Sequence, residues 1–214
     1  CRRARPDAGQ VIRAVVSAVA ASAVAAGVSA GVAVDSGAVV PPVAGNGISL
    51  MIRRWLRHLG TTHFTLRRCF PPGVLAGIDA AITASEQQHQ AEIRFAVETA
   101  LPVGHLWRGV SCRERAQEIW SRLGMADTAA RNGILVYVLL AERDIEIIAD
   151  RGFSDRLAEP VWAAICNEMS TAFRNADYGP GTVRAIGRLS ALAVANFPAR
   201  SGDRNELPNA PFVL

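Results

Sequence analysis

Apolar positions recur along this chain with two spacings, and each predicts its own kind of element. Val74, Leu75, Ile78 and Ile82 fall on one helical face. They predict a helix over about 72–89, opened by Pro71-Pro72 because proline suits a first helical turn. From Glu92 to Glu98 apolar and polar residues alternate, with Ile93, Phe95 and Val97 on one side. That is the pattern of a half-buried strand. Ser111-Cys112-Arg113-Glu114 has the form of a capping box, in which the Ser hydroxyl and the Glu carboxylate satisfy each other's backbone N–H groups. Ala116, Ile119, Trp120 and Leu123 continue that helix, and Gly124 supplies a left-handed stop.

Asn132-Gly133 marks a turn, and Ile134 to Ala141 is a continuous apolar run of strand length. Such a run predicts a central strand covered on both faces. Glu142-Arg143-Asp144 is short and polar, so Ile145 to Ala149 returns as a hairpin partner, ended by Asp150-Arg151-Gly152. Pro160 opens a helix whose buried face is Trp162, Ile165, Cys166, Met169 and Phe173. Gly179-Pro180-Gly181 is read as a break. Val183, Ile186, Leu189, Ala193 and Phe197 then form a last helix, closed by Pro198. Residues 199–214 read as an extended tail.

The order helix, strand, helix, strand, strand, helix, helix predicts an α/β domain over 72–198. It is a three-layer α/β/α sandwich: a small mixed β-sheet, made of a parallel pair plus an antiparallel hairpin strand, flanked by about four helices. A right-handed crossover joins the parallel pair.

Charge changes the picture N-terminal to that domain. Residues 1–70 hold nine arginines against two aspartates, a charge of +7, while residues 71–214 hold 14 arginines against 17 acids, a charge of −3. Every basic residue apart from histidine is arginine, which points to genome base composition and not to function. Residues 51–71 form a basic amphipathic arm, with Trp55, Leu56 and Leu59 on one face and Arg53, Arg54 and Arg57 around it, followed by Arg67 and Arg68. Such an arm fits an anionic membrane surface or a protein partner, or docks back on the domain. The acidic balance of the domain disfavours nucleic acid.

Residues 1–50 are a low-complexity Ala/Val/Gly segment, and the first methionine is Met51. Two readings stand. One takes Met51 as the natural start, giving a cytoplasmic protein peripheral to the membrane. The other takes the basic start and the apolar run of residues 11–34 as an export signal or anchor.

Several chemistries are excluded by motif. Cys1, Cys69, Cys112 and Cys166 form no C-x-x-C pair, which argues against a zinc knuckle, and their scatter argues against a disulfide framework. The chain has no Gly-rich phosphate loop and no H-E-x-x-H, and no cysteine is followed at the right distance by an arginine to cradle phosphate. Two acidic neighbourhoods remain. Asp127, Asn132, Asp150 and Asp155 could meet at one end of the sheet as oxygen ligands for Ca²⁺ or Mg²⁺. The alternative is that Asp127 and Asp155 cap turns and Asp150 pairs with Arg151. Glu98 and Glu142 fall beyond the strand C-termini, where open α/β sheets bind ligands; the alternative makes Glu142 part of a solvated hairpin tip. Cys112 would start a helix, where the dipole lowers a thiol pKa, but no His stands beside it in sequence and a redox or nucleophile role is disfavoured. Cys166, Trp107, Trp120 and Trp162 read as packing, and His89 and His105 as surface residues. No organic cofactor is expected.

The Glu92–Glu98 strand, the Asn132-Gly133 turn with its apolar strand, the run Ala141-Glu142-Arg143-Asp144-Ile145-Glu146-Ile147-Ile148-Ala149-Asp150-Arg151-Gly152 and the tail Asn205-Glu206-Leu207-Pro208 together resemble the TPM domain family of bacteria and plastids. The resemblance covers about residues 70–214. It implies an α/β sandwich. In some members it implies calcium binding, and in some plant relatives acid phosphatase activity and photosystem repair. The chain departs where the family often has Asp before Asn-Gly and Arg131 stands here. The leading expectation is a TPM-like binding or assembly module near the membrane, with divalent metal binding. The alternative is a metal-assisted acid phosphatase.

Overall fold

The computed structural model describes residues 45–128, 130–199 and 207–214, with side chains from Met51 onward except that of Asp127. The two readings of residues 1–50 therefore fall almost wholly outside the described residues.

The capping box forms as expected. Ser111 accepts from Glu114 N–H, Glu114 reaches back to Ser111 N–H, and the helix α5 (Cys112–Arg122) follows. Gly124 ends it at φ 69°, a conformation that costs glycine no steric strain. The alternating segment is strand β1 (Ile93–Glu98) and the apolar run is β2 (Ile134–Leu139), paired in parallel from Ile93↔Ile134 to Glu98↔Leu139. Strand β3 (Asp144–Ala149) returns antiparallel through a turn in which Arg143 adopts φ 54°.

The tail is not merely extended. Phe212–Val213 form β4, parallel to β1, so the sheet has four strands in the order β3-β2-β1-β4. This corrects the expectation for β1: all six of its residues are buried, not alternate ones. With β2 on one side, β4 on the other and a helical layer on each face, Arg94, Ala96 and Glu98 are buried.

One face of the sheet, with Phe95, Val136 and Ile147 at its centre, packs against α2 (His63–Cys69), α3 (Pro72–Glu86), α7 (Glu159–Arg174) and α8 (Tyr178–Asn196). The opposite face, with Ala96, Leu135, Tyr137 and Ile148, packs against α5 and against Leu106 of α4 (Val103–Trp107). The short α6 (Arg151–Ser154) links β3 to α7 and buries Phe153. The expected α/β sandwich stands, with eight helices among the described residues where about four were expected.

Two helical boundaries differ from expectation. Helix α3 ends at Glu86, earlier than 89. Gly179-Pro180-Gly181 does not break the chain but lies in the first turn of α8, where proline lacks only an N–H that would be unsatisfied anyway. A Cβ at Gly181 would stand 2.6 Å from the Ala172 Cβ, so glycine here lets α8 approach α7.

The basic arm is two helices, α1 (Gly45–Gly60) and α2, and it straddles the body. Trp55 of α1 packs with the α5-side core, whereas Leu66, Cys69 and Phe70 belong to the opposite core. No described helix is long and apolar enough to cross a membrane.

Candidate functional site

The C-terminal edge of the parallel strands carries a buried ionic network. Glu98, the last residue of β1, faces α5. Arg115 of α5 donates to it twice, from Nε to Oε2 and from Nη2 to Oε1, each at 2.9 Å. The Tyr137 hydroxyl of β2 donates to the same Oε2 at 2.6 Å. Burial and the Glu98 carboxylate push the Tyr137 phenol upward, and the same carboxylate raises the Arg115 guanidinium. Arg115 Nη1 continues outward to Glu118 at 2.8 Å, and Glu118 meets His105 Nε2 at 2.8 Å. A chain of polar contacts thus runs from the core to a half-buried histidine on α4.

Glu142 does not lie on a solvated tip. Its Oε1 receives Arg54 Nε at 2.7 Å and His58 Nε2 at 2.8 Å, both from α1. His58 is buried, and its Nδ1 accepts from Leu101 N–H at 3.0 Å. Glu98 and Glu142 thus occupy the same edge, but each is gripped by its own partners. One closes the core, and the other fastens the arm.

Cys112 lies at the start of α5 as expected, and its environment opposes the effect of the helix dipole on the thiol. The thiol is buried, and burial followed by the charges of Asp144, Glu146 and Glu142 pushes its pKa up. The helix dipole is outweighed, and a thiolate nucleophile is disfavoured. Burial likewise pushes Cys166 up to about 12, as befits a core residue.

At the other end of the sheet, Asn132 and Asp150 come together, because Asp150 N–H donates to Gly133 O across the β2–β3 pair. Asn132 is buried and donates from Nδ2 to Gln90 O. Asp150 caps α6 with Oδ1 on Arg151 N–H at 2.6 Å, and its Oδ2 is buried with no hydrogen-bond partner. A Cβ at Gly152 would sit 2.6 Å from Arg131 O, so the loop before Asn132 closes tightly on this turn. Asp155 is exposed at the end of α6. The Asp127 side chain lies outside the described residues. No group of three His, Cys, Asp or Glu side chains among the described residues is placed to hold a metal ion. Calcium takes six to eight oxygens. Among the described residues at this end, Asp150 Oδ2 is a buried carboxylate oxygen without a hydrogen-bond partner, a partial ligand set.

Sequence reasoning missed a third polar cluster nearby. Glu86 at the end of α3 is pushed up to about 7 by burial, then by Glu92, while Ile93 N–H, Asn209 and Arg94 pull the other way. Arg94 is 5% exposed, with no hydrogen-bond partner for Nε or Nη1, and burial lowers its pKa. His89, expected at the surface, is buried and bridges to Pro198. The only available signal was the polar half of the β1 alternation. That half is written identically whether it faces water or a buried partner.

Two further surface features among the described residues are apolar. A shallow groove of about 560 Å³ between α3 and α8 is lined by small side chains such as Ala84, Gly187 and Ala191, with no ionisable group. On the arm, Ile52, Leu56, Leu59 and Phe64 are exposed, and so is Trp107 of α4, which the sequence suggested as packing. Trp162 is buried and Trp120 half-buried, as packing requires.

The fold has a solved counterpart. The NMR structure of BA42 protein from the psychrophilic bacterium Bizionia argentinensis is 25% identical, with a TM-score of 0.59, covering 66% of this chain and 93% of that one. No curated protein matches the chain. The model of the TPM domain matches residues 69–192, from the end of α2 through most of α8 and so across β1, β2 and β3; the chain belongs to the TPM domain family.

Proposed function

We propose that this TPM domain is a docking module that binds an anionic membrane surface through the α1–α2 arm. The observation that carries this reading is the arm's outer face. Ile52, Leu56, Leu59 and Phe64 are 53%, 63%, 66% and 76% exposed although α1 is docked. Arg53, Arg57, Arg67 and Arg68 are exposed on the same arm, and residues 51–70 contain no acid. An apolar stripe bordered by arginines suits a headgroup region, where each basic residue near the surface adds about 1 kcal/mol. Glu142 holds α1 so that this face points outward, which makes the body the carrier and the arm the contact. A protein partner with an acidic, apolar groove is the competing occupant.

Flotation of the full chain with phosphatidylserine-containing vesicles tests it. Binding should fall when Arg53, Arg57, Arg67 and Arg68 become Gln, and should fall with salt. Equal flotation of both proteins, or of neither, removes the reading.

A second reading, metal-assisted hydrolysis of phosphomonoesters, is favoured by the buried, unpartnered Asp150 Oδ2 at the end of the sheet where the Asn132-Gly133 turn lies. A Ca²⁺ or Mg²⁺ ion there would supply Lewis acidity to a phosphoryl oxygen. Asp150 would be its carboxylate ligand, with Asn132 alongside and Asp127 and Asp155 as further candidates. Calorimetry of metal-stripped protein, with and without Asp150→Ala, checks ion uptake. Metal-dependent turnover lost in that variant would put this reading ahead of docking.

A further inference from the structure

The face that meets the membrane need not end with the arm. Going round α1 at 100° per residue, Arg54 reaches Val110 O and Glu142, His58 reaches Leu101 N–H, and Trp55 meets Trp107. Leu59, Ile52 and Leu56 come next on the same turn of the wheel, all exposed. Trp107 therefore stands where the docked side of α1 passes into its exposed apolar stripe. The Trp55 and Trp107 rings meet edge to face, with centroids 6.1 Å apart and planes at 86°. That contact uses little of the indole, for Trp107 is 78% exposed, and Val103, one turn earlier on α4, is 61% exposed. Leu106, about 100° round α4 from Trp107, is buried, so the docked side of α4 ends beside the exposed indole. Arg108 follows, exposed.

We infer that Trp107, with Val103, is an interfacial anchor: a second, body-borne element of the surface that binds anionic phospholipid. This deepens the docking reading and rests on it. An indole has an apolar body and one N–H donor, which suits the headgroup boundary of a bilayer. Arg53, next round α1 after Leu56, and Arg108 on α4 supply cations for lipid phosphate. Because Trp107 belongs to the body and Leu59 to the arm, both can enter one interface only while α1 is docked. The Glu142 contacts with Arg54 and His58 then set the geometry of the whole face.

The test uses the full chain with vesicles of phosphatidylserine and phosphatidylcholine, plain or carrying bromine on the acyl chains. Trp107→Ala should lower vesicle partitioning roughly tenfold, as loss of a partly inserted aromatic ring requires, with unchanged thermal unfolding because the side chain is exposed. Brominated lipid should quench tryptophan emission of the native chain, and Trp107→Phe should lose most of that quenching while still floating. Unchanged partitioning of Trp107→Ala overturns the anchor and leaves the docking reading standing, provided the four-arginine variant fails to float. Equal quenching of Trp107→Phe and the native chain also overturns it. Flotation of neither protein sinks both readings.

Discussion

Arg115 and Glu98 form a bidentate pair, two nitrogens to two oxygens at 2.9 Å each, sealed between α5 and the sheet. Buried pairs of this kind contribute little net stability against an apolar replacement, but losing one member strands the other. Arg115→Met should therefore cost about 3–5 kcal/mol in urea unfolding. Tyr137→Phe, which removes one donor from the same carboxylate, should cost about 1.5–3 kcal/mol. A cost under about 1 kcal/mol for Arg115→Met would mean that the pair is not formed.

Glu142 fastens α1 through one oxygen shared by Arg54 and His58. Glu142→Ala should release the arm without unfolding the body. Hydrogen exchange is the readout: amides of α1 near Arg57 should lose protection, while those of β2 keep theirs. Joint loss in both would show that arm and body unfold as one unit.

Glu86 makes stability depend on pH. Its folded pKa is raised to about 7, above the ordinary carboxyl value of 4.5, chiefly by burial and then by Glu92. The packed state therefore holds its proton more tightly than the unfolded chain does. The associated stability is fully present below pH 4.5 and is lost as pH rises through about 7. The melting temperature should fall between about pH 4.5 and 7 and level off above, and Glu86→Gln should flatten that fall. An unchanged slope in the variant would assign the effect to another group.

The buried thiols should be inert. Cys112 and Cys166 both have thiol pKa values raised by burial. Neither should be alkylated at pH 8 in the native state, and both should react once the chain is unfolded. Peptide mass spectrometry distinguishes them, and native labelling of Cys112 would contradict its buried position.

The stretch of chain from α5 through β2 follows closely from local signals. The Ser111 capping box, the left-handed Gly124 and the Ile134 run each depend on residues within a few positions of one another. The docked arm, strand β4 and the polar contacts of β1 do not. His58 and Glu142 are 84 positions apart, and Tyr137 and Glu98 are 39. Phe212 pairs with Ala96 from the far end of the chain.

What the chain's pattern determined by itself was the element order, the central place of Ile134–Leu139 and the family, because hydrophobic period and capping act over short range. Which carboxylates are buried, what grips them, and which aromatic rings are left in water were decided only by tertiary packing. A glutamate on an alternating strand is spelled the same whether it faces solvent or an arginine, and only the layer placed over it settles its charge, its partner and its use.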